Sequence, residues 1–297
     1  MRVGMFETMD SRIERCMDSA DGNMIPLDGP RAAREIVHDI VSVTAGVAIL
    51  LIGWWLVGSV YNTYLAASMT FPMPDEVLEC LLTLVSGKRI FTFTLWDHIL
   101  ASMERWLIGF LLAVIIGMAL GLAVSMNDMV HRILMVPINA LQMIPGLAWL
   151  PVVMILFGFG NTSAIFMVGI VAIAPITINV SNGLRNVPKV NRRVADMSGI
   201  SAWDRFLEVT LPFAALDMVS GLRTGMGNSW RMIIAAEMVV GVMTGIGFTI
   251  KGATDTLDYT TAFACIIVIC IIGLLIDRIV FDRIERYVRK LTGVGDA

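Results

Sequence analysis

The feature that most restricts this chain is a set of six apolar stretches, each close to the roughly 20 residues a helix needs to cross a bilayer's hydrocarbon. They cover residues 40–61, 99–126, 133–157, 163–182, 213–242 and 260–281. Lipid offers no partner to a bare N–H or C=O, so such stretches must be helical. A soluble core cannot absorb them. The chain is 57% hydrophobic and 16% charged, where a globular domain carries about a quarter charged residues. The expected fold class is all-α, a polytopic membrane bundle of six transmembrane helices. Two stretches are irregular: the third contains Pro137, Pro145, Gly146 and Pro151, and the fifth contains Arg223, Arg231 and Glu237.

The layout that follows is an N-terminal segment at 1–38, a membrane domain at 39–282 and a tail at 283–297. With six spans both termini share one side. That side holds Arg2, Arg12, Arg15, Arg31, Arg34, Arg132, Arg185, Lys189, Arg192, Arg193, Arg205, Arg278, Arg283, Arg286, Arg289 and Lys290. The other keeps only Lys88, Arg89 and Lys251. Basic residues stay in the cytoplasm, so both termini are expected there. The first 38 residues lack the short apolar core of a cleaved signal. Cys16, Cys80, Cys265 and Cys270 are scattered, so neither a disulfide framework nor a metal site is expected.

Two loops carry structure of their own. After Phe71-Pro72-Met73-Pro74-Asp75, the segment 76–85 places Val77, Leu78, Leu81, Leu82 and Val85 at helical spacing before Gly87. An amphipathic helix lying on the outer membrane face accounts for it; part of a docking surface is the alternative. The inner loop 184–212 is more informative. It predicts a helix over 189–197, with Val190, Val194 and Met197 on one face, closed by Gly199 in a left-handed conformation. Ser201 then caps a second helix over 202–209, whose Trp203, Phe206 and Leu207 form an apolar face. Leu211-Pro212 suits the first turn of the next span. A plain connector needs only polar turn residues, so such a helix pair is either packed on the bundle or built to press against a partner.

The spacing of Ala195, Gly199, Val209, Leu211 and Pro212 resembles the EAA loop of binding-protein-dependent ABC importer permeases, although Arg193 and Val194 stand where the family has Glu and its first Ala. The 142–151 segment QMIPGLAWLP, Phe157-Gly158-Phe159-Gly160, Pro175-Ile176, Asn179, Gly183-Leu184-Arg185 and Ala235-Ala236-Glu237-Met238 look like the nitrate/sulfonate/taurine branch. The resemblance runs from about residue 71 to the sixth span. It implies a coupling helix seated in a groove of a separate ATPase subunit, at Ala195, Asp196, Met197, Ser198, Gly199, Ile200 and Ser201, with Trp203 and Phe206 anchoring the second helix and Leu211 and Pro212 completing the coupling set. It further implies a permease homodimer, two ATPase copies and an extracytoplasmic solute-binding protein. The cargo would be a small oxyanion such as a sulfonate, taurine, nitrate or bicarbonate; similar permeases also handle thiamine-precursor pyrimidines. No GxxxxGK[ST] occurs, so ATP and magnesium belong to the partner, and the chain is expected to be neither an enzyme nor a holder of cofactors. Nothing marks a nucleic-acid partner.

Charges inside spans mark a pathway or an internal pair. Glu104 and Arg105 sit near the end of span two, where snorkelling accounts for them. Arg223 and Glu237 share a face of span five but stand roughly 21 Å apart. Arg231 is the candidate for meeting an anion, or else pairs with an acid on another helix or subunit. Glu237 would be its partner across a dimer, or a gate. Gly221 and Gly225 permit close helix contact, expected at a subunit interface. Met143, Pro145 and Trp149, in the proline-broken third span, are candidate lining residues. Two other classes compete: a secondary transporter or channel, which wants internal repeats and paired intramembrane acids, and a membrane enzyme, which wants convergent Asp, His or Cys. Neither pattern is present, and His38, His98 and His131 lie apart at span ends.

Overall fold

The structure, a computed structural model, describes residues 29–64, 69–188, 190–191, 193 and 197–292. The chain divides into two packing units, Met1–Leu65 and Ala66–Ala297. The first holds α1, Gly29–Tyr64.

The second unit opens with α2, Pro74–Val85, led in by its first-turn proline. A two-residue hairpin follows, β1 Arg89–Ile90 paired antiparallel with β2 Phe93–Thr94. Thr94 then starts α3, Leu95–Met126. Its backbone N–H donates to Asp97 Oδ2 at 2.9 Å, while its own Oγ1 accepts from the Asp97 N–H at 3.3 Å, a reciprocal cap. Helix α4, Asp128–Met143, is followed by a 3₁₀ turn at Gly146–Trp149 and α5, Leu150–Phe157. The bend between α4 and the following helical segment is 103°. Pro145 causes it: it holds Ile144 in extended backbone (φ −77°, ψ 121°) and has no N–H to continue the helix.

Helix α6, Asn161–Arg185, is the axis of this unit. The glycines of α3 and of the long helix that follows Thr210 record how it is packed. In α3, a Cβ at Gly109, Gly117 or Gly121 would strike Val168, Ile176 or Val180 of α6, so the two helices run parallel in matched register. In α8, Leu211–Val239, Gly221 meets Asn179 and Gly225 meets Ile176, so α8 runs antiparallel to α6. Ile176 is thus clasped by glycines from both sides. Gly221 and Gly225 serve contact within the chain, not the subunit interface expected of them; small residues let backbones approach wherever helices pack.

Trp106 joins α3 to α8, its Nε1 donating to Ser229 Oγ at 3.0 Å and its ring standing edge-on to Trp230. The chain ends with α9, Ile246–Asp255; α10, Tyr259–Ile276; a wide π turn at Asp277–Phe281; and α11, Asp282–Thr292. Helix α2 packs on α10 through Val77 and Leu84, with Cys80 Sγ 3.7 Å from Thr261 Oγ1. Leu78, Leu82 and Val85 remain exposed. The apolar face expected of this helix is therefore shared between the bundle and its surroundings.

By length and composition four helices can cross a membrane: Thr44–Tyr64, Leu95–Met126, Asn161–Arg185 and Tyr259–Thr292. The bent pair α4 with 146–157 adds a fifth if it counts as one broken span. The expected count of six is not reached. Helix α8 is about 43 Å long, ample for a crossing, but Asp217, Arg223, Arg231 and Glu237 keep it outside that criterion.

Candidate functional site

The bundle has two ends, one carrying the β1–β2 hairpin and one carrying the 186–210 segment. At the second, a structured knob projects. Val190, Asn191, Arg193 and Met197 are helical, and Gly199 has φ +69°. The expected helix and its left-handed stop are thus seen in the residues described; Ala195 and Asp196 lie outside them. Met197 is 87% exposed, Ser198 and Gly199 are exposed, and Ile200 is half-buried. Ser201 Oγ accepts from the Asp204 N–H at 3.1 Å and donates to Asp204 Oδ2 at 2.7 Å, as expected of a cap. Helix α7, Ala202–Arg205, follows.

The second helix does not end where expected. A wide π turn, Phe206–Thr210, carries it without a break into α8, with Leu211 and Pro212 in the first turn. From the Ser201 cap onward the backbone hydrogen bonding is continuous into α8. Trp203, 66% exposed, stacks on Phe206 at 5.9 Å. Behind them a cavity of about 730 Å³ opens against Leu122, Met126 and Leu184, at the ends of α3 and α6. The root of the knob is therefore not packed flush on the bundle. At the same end Arg185 of α6 donates to Asp128 of α4 at 2.6 Å.

A second polar assembly occupies the hairpin end, and it is buried. Arg105 Nη1 of α3 donates to Glu237 Oε1 of α8 at 2.6 Å. Arg105 Nε donates to Asn161 Oδ1 at 2.8 Å and Nη2 to Thr244 Oγ1 at 2.9 Å. Glu237 Oε2 accepts from Ser102 Oγ at 2.8 Å and from the Gly247 N–H at 3.0 Å. Ser102 Oγ also accepts from the Ile246 N–H at 2.8 Å. Four helices, α3, α6, α8 and α9, are tied by one ion pair and its supporting bonds. Gly245 at φ +139° lets the chain turn beneath the carboxylate, and a Cβ there would collide with Glu237.

This overturns the snorkelling expected of Arg105, which is buried and paired, whereas Glu104 is exposed. Glu237 points into this lock and not toward Arg231. The pair spans 132 positions, yet a signal existed: Arg105 and Glu237 lie at matching depth from the same ends of spans two and five. Arg223 is likewise structural, donating to Asp277, Asp282 and Glu285 at 2.6–3.0 Å.

The candidate lining residues scatter. Met143 and Pro145 are exposed, Trp149 is half-buried, and Gly146 abuts Met232 of α8. Arg231 is exposed; its Nε donates to the Gly227 carbonyl and its Nη2 to Asn228 Oδ1, and among the described residues it has no acidic partner. Gly146 of the broken span thus meets α8 at Met232, next in sequence to Arg231, while Glu237 is held in the buried lock.

Comparison with known proteins decides the family. Residues 109–290 match the binding-protein-dependent transport system inner membrane component. This chain is a member of that permease family. It is 34% identical over 230 residues to the taurine transport system permease protein TauC of Escherichia coli, covering 77% of this chain and 82% of the relative. It is 32% identical to the bicarbonate transport system permease protein CmpB of Synechococcus elongatus, over 85% and 91% of the two chains. It is also 32% identical to the nitrate import permease protein NrtB of a Synechocystis strain, over 81% and 86%. Among solved structures, the inward-facing MetNI methionine ABC transporter contains a chain that aligns with TM-score 0.54 at 20% identity, over 71% of this chain and 98% of that one. That likeness shows a shared fold. As an importer permease of this family, the protein is multi-pass, is the membrane component of a transport system and works with a binding protein and an ATPase partner.

Proposed function

We propose that this permease imports a small oxyanion, as a homodimer with two ATPase subunits and an extracytoplasmic binding protein. The knob end and both termini face the cytoplasm, α8 and the bent α4–α5 pair each complete a crossing, and ATP is hydrolysed only by the partner. One observation carries the reading: the helix capped by Ser201, directly after the exposed turn at 197–199, runs through the π turn into α8, the helix that also bears Arg231. Force applied at the knob is delivered to the helix that borders the proposed path. The relatives named for taurine, bicarbonate and nitrate support an oxyanion as cargo, and the basic residues around the knob support its cytoplasmic placement.

Gly199→Val tests the coupling. Among the described residues no atom lies within 4 Å of a Cβ at Gly199, so within the chain the variant acts by straining a left-handed backbone that β-branched residues avoid, by about 1–2 kcal/mol or more. It should express and retain its helix content, yet co-purify poorly with its ATPase subunit and lose most transport-stimulated ATP hydrolysis. Full retention of both would remove the coupling role, and uptake that persists without ATP would favour a secondary transporter.

Arg231 tests the path. In a homodimer Arg231, exposed on α8, would face the route between the two copies and offer its guanidinium to the anion, with Met143 and Pro145 as further exposed candidates for the lining. Arg231→Gln should leave assembly intact and reduce anion uptake at least tenfold, whereas Arg231→Lys should retain part of it. Wild-type uptake by the glutamine variant would exclude the residue from the route.

A further inference from the structure

Helix α11 is docked on the bundle the wrong way round for a protein-covered helix. Ile284, Tyr287, Val288 and Leu291 recur at i, i+3, i+4 and i+7 and form one apolar stripe. Such a stripe normally faces a core. Here the face held by the bundle is the charged one. Asp282 Oδ1 accepts from Arg223 Nη2 at 2.9 Å, Glu285 Oε2 accepts from Arg223 Nη1 at 3.0 Å, and Glu285 Oε1 accepts from Arg289 at 2.8 Å. Three of its four residues are turned outward, Ile284 38%, Tyr287 65% and Leu291 67% exposed, while Val288 is half-buried at its edge. Arg283, Arg286 and Lys290 run beside it and are exposed as well.

The position of α11 says what covers that stripe. Through the wide turn at Asp277–Phe281 it prolongs α10, and Tyr259–Thr292 is one helix of 34 residues. About 20 residues fill the hydrocarbon of a bilayer, so the last turns emerge where headgroups begin. An apolar stripe edged by arginine and lysine at that depth matches acyl chains on one side and phosphates on the other. We infer that α11 binds anionic phospholipid. Ile284, Tyr287 and Leu291 lie against the glycerol and upper acyl region, Arg283, Arg286 and Lys290 engage phosphates, and the Arg223 cluster clamps the helix at the angle that presents this face. The basic edge is what selects anionic over zwitterionic lipid.

Hydrogen–deuterium exchange of the full chain in nanodiscs tests this. Both leaflets share one composition there, so the result does not depend on the orientation or the transport activity proposed above. In discs of phosphatidylcholine with phosphatidylglycerol, amides of 282–292 should exchange about a hundredfold more slowly than in phosphatidylcholine alone, from three basic residues acting together. The combined Arg283→Gln, Arg286→Gln and Lys290→Gln variant should lose that difference, with exchange elsewhere unchanged as the check on folding. Equal protection in both lipids, or protection by phosphatidylglycerol that survives in the triple variant, overturns the inference. So does protection that appears only on adding the ATPase or that rises with permease copies per disc, since a protein would then be the cover.

Discussion

Glu237→Ala is expected to lower the stability of the bundle by about 3–5 kcal/mol, the cost of leaving a buried charge without its partner. Arg105 would keep its bonds to Asn161 and Thr244 but face a void where the carboxylate stood. Ser102 Oγ and the Gly247 N–H would lose their acceptor together. The doubly apolar variant Arg105→Met with Glu237→Leu should recover part of the loss, because removing both charges abolishes the desolvation cost while Ser102, Gly247, Asn161 and Thr244 stay without their charged partners. Titration of the detergent-solubilised protein with denaturant, followed by tryptophan fluorescence, reads both. A Glu237→Ala protein as stable as wild type, or a double variant no better than the single one, would show that the pair does not hold these helices.

Gly109→Ala should cost about 3 kcal/mol, near the top of the range for overpacking. The new Cβ would lie 2.6 Å from the Ile165 carbonyl and 2.8 Å from Val168 Cγ1. A backbone oxygen cannot rotate aside as a side chain can, so α3 and α6 must separate, and the registered contacts at Gly117 and Gly121 loosen with them. Gly227→Ala in α8 is the matched control. Nothing lies within 4 Å of a Cβ there, and alanine is the better helix former, so that variant should be neutral or slightly stabilised. The same denaturant titration separates the two. Equal behaviour would mean that the helices are less tightly registered than the glycine contacts indicate.

Sequence reading went furthest where the deciding interactions are local. Gly199 must take a left-handed backbone because the helical spacing before it stops and a cap residue follows, and the Ser201–Asp204 cap lies within a single turn. Pro145 breaks its span because proline has no N–H, whatever surrounds it. The membrane class rests on summed hydropathy, which needs no tertiary contact at all. Reading failed at Arg105, Gly221 and Gly225, and it failed for one reason: each is defined by what it meets on another helix. A charged side chain near a span end is compatible with snorkelling and with burial, and a small-residue pair is compatible with any neighbour. The fifth span illustrates the mixed case. Its helix was legible, but the roles of its charges were not, since Arg223 is held by Asp277, Asp282 and Glu285 and Glu237 by Arg105.

What the amino-acid sequence determined alone is therefore the all-helical membrane class, the broken third span, the capped and glycine-stopped knob and the family to which these motifs point. Tertiary structure alone decided that α6 is clasped between the glycines of α3 and α8, that one ion pair locks four helices at the hairpin end, and that the tail helix turns its apolar stripe outward. The physical reason is range. Backbone propensity and hydropathy act over a few residues and survive any arrangement of the rest, whereas a buried charge or a glycine contact has no meaning until a partner more than a hundred positions away, or a neighbouring helix, has been brought against it.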